Sequence, residues 1–335
     1  MKKLILVIAL IMVLTVTLSV FADSLKSYTW KLGYNTVEDS VRGVAAKKFK
    51  EVVEAKTNGR IKIEIYPSEI LGSAQEMVEA VKVGAQDFQL VGCGTFSPVV
   101  DEYNLFMIPF FFSNVEEGLA FSESEIAARW DEKAFGKGYK VLATYDLGFN
   151  QITNNVGPIN KVGDLNGIKM RANPADKLPI EVFKQLGCSI SHMAYSEVYM
   201  GLQTGVVEGQ FNPVDAIYES KFYEVQDYLS ILNLQWYTFL LTMTEKTWSN
   251  LDAETQAILL DAAKQAREIA KDYTTVKMKE YLELLKDEFK VITYITDSEK
   301  DEFRKKLQPI YAELRSKYPD VADAEKWLED YRKSK

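Results

Sequence analysis

Histidine and cysteine are scarce in this 335-residue chain, which contains one histidine and two cysteines. Acid–base catalysis near neutral pH usually recruits histidine, and Ser-His-Asp or Cys-His triads need one opposite a nucleophile. The single histidine, His192, is interpreted as a structural or surface residue. The nucleophile-elbow pattern Gly-x-Ser-x-Gly is also absent. The sequence therefore predicts no catalytic residues.

Metal and nucleotide motifs are missing too. One histidine and two distant cysteines cannot form the usual zinc sets, and no calcium loop of EF-hand spacing occurs. Gly92 and Gly94 resemble the start of a dinucleotide-binding turn, but Ser97 stands where the third glycine belongs. We expect neither a metal nor a cofactor. Gly92 is interpreted as a position where the backbone closely approaches a neighbour or a ligand.

The two cysteines, Cys93 and Cys188, are predicted to be buried and free. A disulfide is the alternative. A chain of this length does not need one, and the sequence does not show whether the two sulfur atoms can approach each other.

Acidic residues outnumber basic ones, 48 to 40, for a formal net charge of −8. This balance argues against a nucleic-acid partner and against binding to anionic membranes, since neither would attract the protein at long range. An anionic ligand would have to be held by a local cationic group.

The N-terminus has the pattern of a secretory signal peptide over residues 1–22. Met1-Lys2-Lys3 precedes an apolar run from Leu4 to Val20, and small residues lead to a cleavage site near Ala22. A membrane anchor is the rival interpretation, but the apolar run is short for a bilayer-spanning helix. We expect an exported protein that is not inserted in the membrane after cleavage.

Strand and helix patterns alternate along the rest of the chain, which predicts an α/β fold. Ile61, Ile63 and Ile65 alternate with polar residues, as in a half-exposed strand, and a helix with one apolar face is predicted over 41–56. The mature chain is long enough for two lobes, each with its own core. Lobes of this kind commonly bind ligands near strand ends, in the crevice between them.

Capping patterns predict several helix ends. Asn173-Pro174 is predicted to begin a helix that Gly187 ends in a left-handed conformation, and Ser196 to cap the next helix. Ser298 is predicted to open a final helix, which Pro309 interrupts.

A long helical stretch is predicted over 251–290, with one interruption as an alternative. Its apolar spacing lacks the sustained heptads of a coiled coil.

The segment from Gly167 to Pro213 carries the most specific pattern. It contains Gly167-Ile168-Lys169-Met170-Arg171-Ala172 and the block Met193-Ala194-Tyr195-Ser196-Glu197-Val198-Tyr199-Met200-Gly201-Leu202-Gln203-Thr204-Gly205-Val206-Val207-Glu208-Gly209-Gln210-Phe211-Asn212-Pro213. Segments of the same type are Tyr66-Pro67, Leu71-Gly72, Val83-Gly84-Ala85-Gln86-Asp87, Ile108-Pro109-Phe110-Phe111-Phe112 and Lys221-Phe222-Tyr223-Glu224-Val225-Gln226. Over nearly all of the mature chain, the sequence resembles the DctP-type substrate-binding proteins of TRAP (tripartite ATP-independent periplasmic) transporters.

The resemblance implies a periplasmic protein with a two-lobe periplasmic-binding-protein clamshell, mixed central sheets, crossing strands and a long helix spanning both lobes. We expect lobe I to comprise 23–148 and 237–276, and lobe II 149–236 and 277–335. It also implies a small organic acid as ligand and, as partners, the small and large integral membrane subunits of a TRAP transporter.

Site residues follow from the resemblance. The family's ligand-binding arginine falls on Arg171, and a guanidinium can give two parallel hydrogen bonds to one carboxylate. The alternative for Arg171 is an ion pair at the surface or within a lobe. Asn212 matches a ligand-binding asparagine, with an Asn-Pro turn as the alternative. Tyr195 and Asn35 are further candidates, although Tyr195 could be a core residue and Asn35 a cap.

Asn150 is a departure from the family pattern. Many members carry a second arginine in a Gly-x-Arg-Gln context, where this chain has Gly148-Phe149-Asn150-Gln151. We therefore expect a less cationic pocket and hypothesise a monocarboxylate, or a ligand with an amide or hydroxyl at that position.

Two other functions remain open on the sequence alone. One is an exported α/β enzyme that acts on a carboxylated molecule through Asp, Glu or Tyr. The other is a ligand sensor that docks a receptor.

Overall fold

Two mixed β-sheets organise residues 26–335, which are the residues that the computed structural model describes. The five-stranded sheet has the order β2-β1-β3-β10-β4, and the six-stranded sheet the order β11-β9-β5-β8-β6-β7. The strands are β1 Tyr28–Tyr34, β2 Ile61–Tyr66, β3 Phe88–Gly92, β4 Tyr139–Phe149, β5 Gln151–Asn154, β6 Lys169–Ala172, β7 Ser189–His192, β8 Gly209–Asn212, β9 Tyr228–Ile231, β10 Trp236–Thr244 and β11 Val291–Tyr294. We call the part built on the five-stranded sheet lobe I and the part built on the six-stranded sheet lobe II.

Helices cover both sheets, which confirms the two-lobe α/β fold. The α-helices are α1 Val41–Lys56, α2 Ala74–Val83, α3 Cys93–Phe96, α4 Val115–Ser122, α5 Glu125–Ala134, α6 Lys177–Leu186, α7 Val198–Gln203, α8 Val214–Glu219, α9 Glu245–Ser249, α10 Ala253–Leu284, α11 Asp297–Lys306, α12 Gln308–Lys317 and α13 Asp320–Lys333. The predicted signal peptide lies outside the described residues. Within residues 26–335, no helix is both long and apolar enough to cross a bilayer.

Apolar periodicity accounts for the core of lobe I. In β2, Ile61 and Ile63 are buried while Lys62 and Glu64 are exposed, as the alternation predicts. Helix α1 starts at its cap Ser40 and packs its apolar face, including Phe49, against this sheet. Burying these side chains stabilises the lobe by about 25 cal/mol for each Å² of apolar surface removed from water.

The lobes are joined by crossing strands and by the long helix. Strand β4 of lobe I runs almost directly into β5 of lobe II, and the chain returns from β9 to β10. Helix α10 packs Leu259 and Ala263 in the lobe I core and Tyr281 in a lobe II cluster. The long helix is confirmed, and it is continuous from Ala253 to Leu284.

Three predicted helix starts were wrong. Asn173 does not cap α6: its side-chain oxygen accepts from Ala175 N, which closes a local turn, and α6 begins only after Asp176. Ser196 lies within the 3-10 turn Tyr195–Glu197 that precedes α7. Helix α11 is capped by Thr296 rather than Ser298, because Thr296 forms the capping box with Glu299.

The last helix, α13, packs against α4 and α5 of lobe I. The Trp130 indole N–H donates to Asp320 at 2.6 Å, and Arg332 pairs with Glu117. The end of the chain thus contacts lobe I, although α11 and α12 lie beside α6 of lobe II. The lobe boundaries drawn from the sequence stay a prediction.

Both cysteines are buried and free, as predicted. Cys93 opens α3 in lobe I, whereas Cys188 precedes β7 in lobe II.

Candidate functional site

A polar cavity lies between the lobes, where strands of both sheets end. From lobe I it is lined by Asn35, Arg42, Gly92, Thr95, Leu147 and Tyr237. From the crossover and lobe II it is lined by Asn150, Arg171, Asn173, Asp176, Tyr195, Phe211, Asn212, Pro213 and Ala216. Asn35 follows β1, and Asn212 ends β8, so the carboxyl ends of the strands supply the site.

All six residues selected from the sequence line this one cavity. They are Arg171, Asn212, Asn150, Tyr195, Asn35 and Gly92. Their convergence from separate elements of both lobes is a property of the tertiary fold, and it makes the cavity the candidate binding site.

Arg171 is buried, with 5% of its surface exposed, and one edge of its guanidinium is already occupied. Nε and Nη2 both donate to the Met193 carbonyl oxygen, at 3.1 and 2.8 Å. This contact fixes the group and leaves the Nη1–Nη2 edge to offer two parallel hydrogen bonds to a carboxylate. Burial lowers the pKa of Arg171, against the attraction of Asp176. An arginine starts from so high a value that it stays charged.

Tyr195 forms one wall beside Arg171. The guanidinium carbon lies 5.8 Å from the centre of the Tyr195 ring, within range of a cation–π contact. The Tyr195 hydroxyl is hydrogen-bonded to the Ser220 hydroxyl at 2.8 Å, and burial raises the pKa of Tyr195 to about 12. The hydroxyl therefore stays protonated near neutral pH, and its hydrogen bond to Ser220 fixes the ring at the cavity.

Asn212 is oriented by a buried chain of side chains. Its Nδ2 donates to Gln210 Oε1 at 2.5 Å, Gln210 Nε2 donates to Thr153 Oγ1 at 2.9 Å, and Thr153 donates to Gln226 Oε1 at 3.0 Å. One amide N–H of Asn212 is used in this chain, and its oxygen and second N–H make no side-chain hydrogen bond among the described residues.

Asn35 and Gly92 shape the lobe I side. The Asn35 Oδ1 atom is buried and has no hydrogen-bond partner among the described residues. Such an atom is costly unless a ligand or water satisfies it. A side chain at Gly92 would collide with the Tyr237 hydroxyl, so the glycine allows that tyrosine to reach the cavity wall.

Arg42 is a second cationic side chain at the cavity, and the sequence analysis did not identify it. It is 6% exposed, lines the cavity from α1, and its Nε has no hydrogen-bond partner within residues 26–335. Its guanidinium carbon lies 5.1 Å from the centre of the Phe239 ring. The sequence did contain an indication of this role. A cation in the first turn of a helix is unfavourable, because it opposes the helix dipole, and its presence there is therefore unusual.

Asp176 was also missed by the sequence analysis. It lies in the turn between β6 and α6 and is 4% exposed. Burial raises the pKa of this carboxyl to about 6, although Arg171 and hydrogen bonds from Thr95 and Tyr237 favour the charged form. The sequence signal was an acidic residue shortly after Arg171, but acidic residues are abundant in this chain.

Contacts between the lobes surround the cavity. Asn173 Nδ2 donates to Thr95 Oγ1 at 2.9 Å, and the Ser196 N–H donates to Glu69 Oε2 at 3.1 Å. Residues of both lobes therefore meet around the cavity.

The single histidine lies away from this cavity. His192 is exposed and lines a separate surface groove between α6 and α12. Within residues 26–335, no group of three or more His, Cys, Asp and Glu side chains could hold a metal ion.

The family model described as bacterial extracellular solute-binding protein, family 7, matches residues 32–317. The chain belongs to this family. Its relatives include the 2,3-diketo-L-gulonate-binding periplasmic protein YiaO of Escherichia coli, 30% identical over 244 residues, which cover 73% of this chain and 74% of YiaO. The C4-dicarboxylate-binding protein DctB of Bacillus subtilis is 31% identical over 286 residues, covering 84% of this chain and 81% of DctB.

Solved structures of similar proteins have the same fold as this family 7 chain. The sugar acid binding protein DctPAm of Advenella mimigardefordensis, in complex with galactonate, has a TM-score of 0.86 at 27% identity, covering 91% of this chain and 100% of that one. A TRAP periplasmic solute-binding protein of Polaromonas, bound to D-erythronate, has a TM-score of 0.85 at 29% identity, covering 90% and 98%. The two-lobe interpretation and the family are thereby confirmed.

Proposed function

We propose that this protein captures a small organic acid by its carboxylate in the cavity between the lobes and delivers it to a membrane transporter. The observation that carries the proposal is the geometry of Arg171. Its guanidinium is buried, is fixed by Met193, and has a free edge at a cavity enclosed by both lobes. In this proposal Arg171 and Asn212 hold the carboxylate, and Tyr195, Asn150, Asn35 and Gly92 shape the space around it.

Enclosure couples binding to the shape of the protein. Expelling water lowers the local dielectric and strengthens the ion pair between Arg171 and the ligand. A ligand that touches both lobes favours their contact, since a ligand shifts an equilibrium only through its preference for one state. The closed form then presents the transporter with a surface that the open form lacks.

The proposed partners are the small and large integral membrane subunits of a TRAP transporter. The D-erythronate-bound relative is described as a TRAP periplasmic solute-binding protein, which supports this assignment. We also propose that the signal peptide is cleaved near Ala22 and that the mature protein works in the periplasm. Genes for two membrane subunits beside this one, and co-purification with them, would support the transport role over a receptor-docking sensor.

We propose that the ligand leaves unchanged, so that the protein is a carrier and not an enzyme. The residues that line the cavity include no histidine or cysteine, and their one acidic side chain, Asp176, receives long hydrogen bonds of 3.4 and 3.5 Å from the hydroxyls of Thr95 and Tyr237. Mass spectrometry of the bound acid after long incubation should show the mass that was added. A new product would contradict this part of the proposal.

The decisive experiment combines native mass spectrometry with one substitution. Gently purified protein is expected to carry a small organic acid, and Arg171→Ala to lose it while the fold is kept. We expect carboxylate affinity to fall by about 100-fold or more, because a buried, charge-assisted pair is removed. Arg129→Ala, at an exposed surface pair with Asp323, is the control and should bind as wild type. Wild-type affinity in Arg171→Ala would remove Arg171 from the site.

A further inference from the structure

Asp176 places a buried negative charge in a cavity that is proposed to bind an acid. Its hydrogen-bond donors within the described residues are the hydroxyls of Thr95 and Tyr237, at 3.4 and 3.5 Å. Hydroxyl donors normally lie about 2.5–2.7 Å from a carboxylate oxygen. Both contacts are therefore weak, and Asp176 keeps most of its capacity to accept hydrogen bonds at the cavity.

A buried carboxylate is costly unless donors satisfy it. Lobe I holds Asp176 in place: a side chain at Gly94 would bring its Cβ to 2.5 Å from Asp176 Oδ1, so the backbone of α3 covers this carboxylate. The carboxylate cannot turn away to solvent while the lobes touch. The donors that complete its shell must then come from the molecules that occupy the cavity, either a ligand or water.

The charges that line the cavity define how many negative groups a ligand can carry. Arg171 and Arg42 contribute two positive charges, and Asp176 contributes one negative charge when it is ionised. A monoanion neutralises the remaining positive charge. A dianion would leave an excess negative charge in a buried space.

We propose that Asp176 selects a monocarboxylate that carries hydroxyl donors, and that it disfavours dicarboxylates. Arg42 is the second cation that lets the acidic residue and an anionic ligand occupy one cavity. This inference rests on the proposed function and adds the chemical class of the ligand. A ligand ammonium group would also donate to Asp176. A zwitterion has no net charge, however, and would leave the net positive charge of Arg171, Arg42 and Asp176 without a counterion.

The ligand classes can be distinguished by comparing the affinities of acids that have the same number of carbon atoms. Isothermal titration calorimetry at about pH 7.5, above the pKa of Asp176, compares D-erythronate, butyrate, succinate and γ-aminobutyrate. The six-carbon acids galactonate, hexanoate and adipate repeat the comparison for a longer ligand. We expect the hydroxylated monocarboxylate of at least one series to bind about tenfold or more tightly than its unsubstituted, dicarboxylate and amino counterparts.

Asp176→Asn then tests the residue itself. The amide has the same size but no charge, so we expect it to weaken binding of the hydroxylated acid, to strengthen binding of the dicarboxylate, and to change their ratio by about tenfold or more. Asp272→Asn, at an exposed position on α10, should leave the ratio unchanged. The ranking measured on the wild-type protein tests the ligand class even where the Asp176 variant does not fold.

The outcomes separate this inference from the proposed function. Dicarboxylate binding as tight as that of the hydroxylated acid overturns the inference and leaves carboxylate capture intact. An unchanged ratio in folded Asp176→Asn removes Asp176 as the selecting residue. A wild-type protein that binds none of these acids overturns both proposals together.

Discussion

Glu69 of lobe I accepts a hydrogen bond from the backbone N–H of Ser196 in lobe II, with 3.1 Å between Oε2 and N. Ser196 lies in the turn Tyr195–Glu197 that leads into α7, where backbone N–H groups lack helical acceptors. Ala194, which precedes the turn, offers no side-chain oxygen as a cap. A carboxylate of one lobe therefore caps a helical segment of the other.

The backbone around Glu69 is held in an uncommon conformation. Ser68 and Glu69 have φ angles of 53° and 60°, which are rare for residues other than glycine. Hydrogen bonds from Ser68 N to Thr36 O and from Glu69 N to Tyr34 O fix this turn. The second carboxylate oxygen of Glu69 accepts from Ala74 N at 3.3 Å. The turn thus positions the Glu69 carboxylate to accept hydrogen bonds from both lobes.

We predict that Glu69→Ala speeds ligand release. Removing the cap from the contact between the lobes weakens the closed arrangement by about 0.5–1.5 kcal/mol, or about 2–10-fold in affinity. Stopped-flow measurement of dissociation should show most of the change in the off-rate. Glu79→Ala, at an exposed position on α2, is the control. An unchanged off-rate in Glu69→Ala would show that this contact does not hold the lobes together.

Gly94→Ala is predicted to impair binding more than stability. The added Cβ would lie 2.5 Å from Asp176 Oδ1 across the gap between the lobes, so the lobes could not reach their present contact. Each lobe keeps its own core, and the melting temperature should change little. We expect affinity to fall by about tenfold or more in calorimetry. Gly157→Ala, where the Cβ would meet open space, should match wild type in both measurements.

Asp146 is predicted to make stability depend on pH. Burial raises the pKa of its carboxyl to about 6, although Arg267, Ser122 and Trp236 favour the charged form. The folded protein therefore holds this proton more tightly than the unfolded chain, whose aspartates titrate near about 3.9. The stabilising contribution of Asp146 is complete below about pH 4 and is lost as the pH rises through about 6.

Asp146→Asn should remove this contribution to the pH dependence. The asparagine oxygen can still accept from Ser122 Oγ and Trp236 Nε1, which now donate at 2.5 and 3.0 Å. Urea unfolding at about pH 4.5 and about pH 7.5 should give the difference in free energy of unfolding between variant and wild type. We expect this difference to shift in favour of the variant at the higher pH, by on the order of 1–2 kcal/mol. The exposed Asp272→Asn control should show no such gain. A difference that does not vary with pH would contradict the prediction.

Local patterns predicted the elements but not always their ends. The alternating isoleucines of β2 and the left-handed Gly187 after α6 were read correctly, because period and backbone conformation are local properties. The start of α6 was misplaced because the side chain of Asn173 serves two purposes. Its oxygen closes a turn and its amide reaches Thr95 of lobe I, and the second contact depends on the tertiary fold.

At the cavity, too, some residues could be predicted from the sequence, whereas others depend on the tertiary fold. The resemblance indicated Arg171 and Asn212, and the structure brings both into the cavity with the other four candidates. Arg42 was not found because a single arginine in the first turn of a helix does not indicate a site, and only folding brings that helix to the cavity. Asp176 was not found because a single acidic residue among 48 has no distinctive pattern. Which charges face each other is a property of the closed lobes.

The two thiols are predicted to be inert in the folded protein. Burial raises the pKa of both Cys93 and Cys188 to about 12, so neither forms an appreciable thiolate near neutral pH. The two residues lie in different lobes and are not bridged. A thiol reagent such as DTNB should label the native protein at least 100-fold more slowly than a small-molecule thiol, because both burial and low thiolate content oppose the reaction. In denaturant without reductant, both thiols should react at once. Rapid labelling of the native protein, or loss of thiols in the denatured protein, would contradict this account.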